Sequence, residues 1–83
     1  MMQEGLLWFD KDPQRKLSDK ISRAAVRYQT KFGQKPTICY LNAHDLDGQT
    51  EGVDGIQLLT STNVQRYHFW IGVENESSTS KAA

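Results

Sequence analysis

Apolar residues recur at helical spacing through one long segment of the chain, residues 12–33. At about 100° per residue they fill one continuous stripe. Asp12 suits the N-cap, Pro13 the first helical position and Gly33 the left-handed residue after a helix. We therefore predict one amphipathic helix whose apolar stripe faces a sheet. The stripe consists of Leu17, Ile21, Ala24, Ala25, Tyr28 and Phe32.

Short apolar runs before and after this segment predict strands. They cover residues 6–9 (LLWF), 37–42 (TICYLN), 55–62 (GIQLLTST) and 66–74 (RYHFWIGVE). The last two are predicted to pair as antiparallel neighbours through 63–65. If residues 6–9 join the sheet, the helix connects parallel neighbouring strands. If residues 6–9 only pack on the helix, the order of elements is αβββ.

These elements predict the fold class. It is α+β, with one amphipathic helix packed on one face of a three- to four-stranded mixed sheet in the order (β)αβββ. The segment 43–55 has three glycines and four acids and is predicted as a loop. A single domain is expected over 1–75, because the Ser-rich segment 76–83 lacks large apolar residues and is predicted to be disordered.

The run RYHFWIGVE departs from simple strand alternation. Tyr67, Phe69, Ile71 and Val73 fall on one face, but Trp70 falls on the other. One helix covers only one face of a sheet, so the face with Trp70 is expected to be open, together with one of Cys39 and Tyr40 and one of Leu58 and Leu59.

An uncovered Trp admits three interpretations. The indole is covered by 6–9 or by the loop 43–55, or it meets a second copy of the chain, or it meets another protein or ligand. The predicted interaction surface consists of Arg66, His68 and Trp70. Its predicted partner is a second copy, giving a homodimer, or another protein.

Composition limits the class of protein. Eighty-three residues with 37% hydrophobic and 24% charged residues are enough for one small core. One cysteine cannot form an intramolecular disulfide, which favours a reducing cytoplasm. The apolar run 6–9 is too short for a signal peptide or a membrane span, so no membrane partner is expected.

The net charge is zero, but the charges are separated along the chain. Residues 11–35 contain eight cations and two anions, a net +6, and the remainder carries −6. Five of the cations form a stripe beside the apolar one: Lys16, Lys20, Arg23, Arg27 and Lys31. This stripe predicts, as the alternative function, weak sequence-independent nucleic-acid binding through phosphate contacts, which the zero net charge disfavours.

The residues whose side chains could take part in catalysis or bind a metal do not form a recognisable catalytic motif. Cys39 could pair with His44 or His68 as a thiolate site, but nothing in the sequence fixes their geometry. The same three residues are too few ligands for a zinc site. The acids of the loop, Asp45, Asp47, Glu51 and Asp54, fail the register of an EF-hand, although weak cation binding stays open. We expect no catalytic residue, no metal site and no cofactor. The predicted function is a non-enzymatic protein-interaction module.

Overall fold

The computed structural model describes residues 5–46, 48 and 52–73, so the predicted tail lies outside the described residues. It confirms an α+β fold in which one helix packs on a four-stranded mixed sheet, in the order βαβββ. None of the described helices is long and apolar enough to cross a membrane. The elements are β1 (Gly5–Phe9), α1 (Leu17–Phe32), β2 (Ile38–Leu41), a short 3-10 turn (Ala43–Asp45), β3 (Gln57–Thr60) and β4 (His68–Gly72).

The helix ends where predicted but begins later. Gly33 has a φ of 78°, and its N–H closes the last turn by donating to the Gln29 carbonyl. The prediction that Asp12 caps the helix is wrong, because the Asp12 carboxylate accepts the Gln14 N–H in a separate turn. The helix proper begins at Leu17, after Lys16, whose side chain makes no capping hydrogen bond.

The strand order is β1-β4-β2-β3, which corrects two sequence predictions. β1 and β2 run parallel but are not neighbours, because β4 lies between them and pairs antiparallel with both. β3 and β4 are not a hairpin, because β3 pairs in parallel with β2 at the far edge of the sheet. β4, which carries Phe69 and Ile71 on its core face and Trp70 on the other, therefore takes a central position between β1 and β2.

The core lies between α1 and one face of the sheet. Leu17, Ile21, Ala24 and Tyr28 are buried there, as the predicted stripe requires, and Ala25 and Phe32 pack at its margin. The core face of the sheet is formed by Cys39, Leu41, Phe69 and Ile71 together with Leu6 and Trp8.

The connection between β2 and β3 also contributes to the core. Parallel neighbours need a crossover, and the part of this one just before β3 packs on the helix side of the sheet. Val53 and Ile56 are buried in the core, and the Asp54 carboxylate accepts a 2.6 Å hydrogen bond from the Ser22 hydroxyl of α1. The segment 43–55, predicted to be a loop with almost nothing to bury, therefore carries one core residue, Val53, and the partly buried Leu46 packs against the same core.

Candidate interaction surface

The face of the sheet opposite α1 displays an apolar surface. The register places Leu7 beside Trp70, Trp70 beside Tyr40, and Tyr40 beside Leu59. Phe9 and His68 are a second cross-strand pair on this face, with ring centroids 4.9 Å apart. We call the six residues Leu7, Phe9, Tyr40, Leu59, His68 and Trp70 the open-face cluster.

Exposure within the open-face cluster is greatest on β1. Leu7 and Phe9 are each 56% exposed, whereas Tyr40, Leu59, His68 and Trp70 are partly buried. Ile38 lies on the same face by register and is almost fully buried. The apolar area left open to solvent is therefore concentrated at the β1 side of the sheet.

Trp70 is partly covered by its own chain. Its indole lies over Gly5: a Cβ built at Gly5 would come within 2.7 Å of indole atoms Cε2 and Cζ2. A glycine at this position leaves room for the ring on β1, an arrangement that compensates for the missing side chain of a strand glycine. Within the 43–55 segment, Leu46 and Val53 pack against the core on the helix side of the sheet.

The connection from β3 to β4 borders the same face. Leu7, Tyr40, His68 and Trp70 line a concavity of about 610 Å³, which is closed on one side by Ser61, Asn63, Val64 and Gln65. The connection is fixed to the end of β2, because the Asn42 side-chain amide donates a 3.1 Å hydrogen bond to the Val64 carbonyl.

The three predicted surface residues occupy different positions. Trp70 and His68 lie on the open face. The His68 Nδ1 is 2.9 Å from the Arg66 carbonyl oxygen, which can only accept, so Nδ1 carries the proton and Nε2 is free to accept in the neutral ring. Arg66 precedes the strand, and its Nε is 2.9 Å from Asp45 Oδ1.

Asp45 links the end of β2 to the entry of β4. Its carboxylate, 8% exposed, accepts hydrogen bonds from Arg66 Nε and from the Tyr67 backbone N–H, the second at 2.5 Å. Tyr67 has a φ of 67°, a left-handed conformation that is unfavourable for a residue with a side chain. Asp45, which was a candidate cation ligand, therefore stabilises this turn through its hydrogen bonds.

The five cations of the basic stripe lie on the other side of the molecule. Four are exposed and Lys20 is half-buried. Within the described residues none of the five forms an ion pair, although the Lys20 Nζ lies 6.0 Å from the Tyr67 ring centroid and the Lys31 Nζ lies 5.5 Å from that of Phe32. α1 separates this stripe from the open-face cluster, so the two features belong to opposite surfaces.

The candidate chemical groups are not assembled into a site. Cys39 is fully buried on the core face of β2, and burial raises the pKa of its thiol to about 12. His44 is hydrogen-bonded to Asn42 in the 3-10 turn. Over the described ranges, no group of three or more His, Cys, Asp or Glu side chains could hold a metal ion; Asp47 and Glu51 lie outside those ranges.

Sequence reasoning missed Leu7 and Phe9 as surface residues. A signal for them exists in the alternation of β1, where Leu6 and Trp8 face the core and Leu7 and Phe9 must face away. No protein-family model matches the chain, and no curated protein or solved structure matches it.

Proposed function

We propose that this chain is a small, non-enzymatic protein-interaction domain that self-associates through the open-face cluster. The observation that carries the proposal is the exposure of Leu7 and Phe9, each 56%, on the same sheet face as Trp70. Contiguous apolar side chains on one face are typical of an interaction surface, whereas scattered single ones are ordinary. The aromatic residues in the cluster, Phe9, Tyr40 and Trp70, belong to a class enriched in protein interfaces.

The expected strength of self-association follows from the exposed area. Full burial of a Leu or Phe side chain contributes about 1.5–3 kcal/mol. Covering the exposed half of Leu7 and Phe9 in both copies would therefore contribute roughly 3–6 kcal/mol, and the remaining cluster residues would add to this. Association itself costs at least about 4 kcal/mol, and a micromolar dissociation constant needs a net gain of about 8 kcal/mol. A micromolar dimer therefore requires the rest of the interface to contribute at least roughly 6–9 kcal/mol beyond Leu7 and Phe9.

Sedimentation equilibrium over about 1–500 μM tests the proposal, with Trp70→Ala as the surface variant. Val26→Ala is the matched control, because Val26 is 66% exposed on α1, away from the sheet face. We expect a concentration-dependent dimer that Trp70→Ala weakens and Val26→Ala leaves intact. A wild-type protein that stays monomeric at the highest concentration would exclude self-association, and equal weakening by the two variants would exclude this face.

Nucleic-acid binding is the second candidate, and one observation favours it. The basic stripe pairs with no described acid, so its charges are available to phosphates. The zero net charge of the chain counts against it. A mobility shift with a DNA or RNA duplex at low salt that disappears in the double variant Arg23→Glu, Arg27→Glu would support this candidate; no shift would remove it.

A further inference from the structure

The free edge of the sheet at β1 carries backbone groups whose direction is fixed by the register. The Asp10 N–H donates to the Tyr67 carbonyl at 2.9 Å, in line with the β1–β4 pairing. Residue pairs in an antiparallel ladder alternate between hydrogen-bonded and non-hydrogen-bonded. Trp8 and Leu6 therefore bond to β4, while Gly5, Leu7 and Phe9 direct their N–H and C=O groups away from it.

β1 lacks the features that normally protect an edge strand. Its sequence, GLLWF, contains no charge, no proline and no bulge against β4. Among the strands that the structure describes, none lies beyond β1. β3, at the opposite edge, directs only Leu58 and Thr60 outwards, because Gln57 and Ser61 donate to β2-side carbonyls. β1 therefore offers an approaching strand more outward-directed residues than β3 does.

We propose that β1 pairs antiparallel with β1 of a second copy, about a two-fold axis at Leu7, joining the two sheets into one of eight strands. This inference rests on the proposed self-association and identifies its docking element. The three outward-directed residues are spaced evenly about Leu7, so self-pairing places Leu7 opposite Leu7 and Gly5 opposite Phe9. Each of these pairs exchanges two hydrogen bonds, and every outward group of the strand finds a partner.

The side chains on the open face are compatible with this pairing. Phe9 of each copy would lie opposite Gly5 of the other, beside the Trp70 indole that covers this glycine. The Trp70 indole already lies on Gly5, so each Phe9 ring would meet the edge of that indole. No charged residue lies within Gly5–Phe9, so self-pairing brings no like charges opposite one another. The exposed side chains of Leu7 and Phe9 would each gain a lateral neighbour from the other copy, which would cover part of their exposed surface.

Leu7→Pro tests the edge directly, with Leu7→Ala as its matched control. Both variants remove the leucine side chain, but only proline removes the outward N–H and obstructs the approaching strand, while the β1–β4 hydrogen bonds are kept. In sedimentation experiments we expect Leu7→Pro to dimerise at least about tenfold more weakly than Leu7→Ala, because two hydrogen bonds are lost per dimer. Circular dichroism of the dilute variants establishes that both are folded.

Amide hydrogen exchange of the wild-type protein provides a test without a variant. We expect the Leu7 and Phe9 amides to be protected above the dimer dissociation constant and to exchange freely below it. Free exchange of both amides in the dimer, or equal dimerisation of Leu7→Pro and Leu7→Ala, would overturn edge pairing while leaving self-association intact. A wild-type monomer at every concentration would overturn the proposed function and this inference together.

Discussion

Replacing Asp45 is expected to destabilise the fold by loosening the entry to the central strand. Its nearly buried carboxylate accepts the Tyr67 N–H at 2.5 Å and Arg66 Nε at 2.9 Å. A hydrogen bond to a charged group contributes about 1.5–3 kcal/mol. The Arg66 side chain is 46% exposed, so its ion pair is screened by solvent and adds little. We therefore expect Asp45→Ala to cost about 2 kcal/mol, nearly all of it from the bond to Tyr67.

Thermal and urea unfolding measure this loss. For a domain of this size, a loss of about 2 kcal/mol lowers the melting temperature by roughly 8–16 °C. Asp45→Asn should fall between wild type and Asp45→Ala, because the amide oxygen still accepts the Tyr67 N–H without the charge. Arg66→Met is the control, since it removes the ion pair and keeps the backbone hydrogen bond. If Arg66→Met cost as much as Asp45→Ala, or if Asp45→Ala unfolded like wild type, the assigned role of the turn would be wrong.

Two further predictions concern titratable groups. Cys39 is fully buried with a thiol pKa of about 12, so we expect it to react with a thiol reagent at about pH 8 only after unfolding; rapid labelling of the native protein would contradict this. Burial would raise the pKa of Asp10, but the Asp12 N–H and Arg15 outweigh it and hold that pKa below 3.8. Asp10 should therefore stabilise the fold above about pH 4 and lose this contribution as the pH falls through its lowered pKa. The difference in urea midpoint between wild type and Asp10→Asn should shrink from about pH 7 to about pH 3, and a constant difference would contradict the assignment.

The helix stripe could be predicted from the sequence because a sustained 3.6-residue period of apolar residues is specific to an α-helix. The start of the helix was mispredicted because Asp12 caps a nearby turn equally well. Strand order could not be derived from local signals, since β4 pairs with strands far away in the chain. Leu7 and Phe9 were missed for the same reason, because the face on which they lie depends on whether β1 joins the sheet at all. Apolar residues on both faces do not identify the central strand, because β1 (GLLWF) has them as well and lies at the edge of the sheet.

The central position of β4 has a consequence for how the chain reaches its native state. β1 has no described neighbour except β4, and β4 is the last of the four strands to emerge during synthesis. Until His68–Gly72 has left the ribosome, the first strand has no ladder to join and β2 has only β3 beside it. Assembly of the sheet therefore depends on the latest-made element inserting between two that were made earlier, and a fragment that stops before His68 should lack a cooperative unfolding transition.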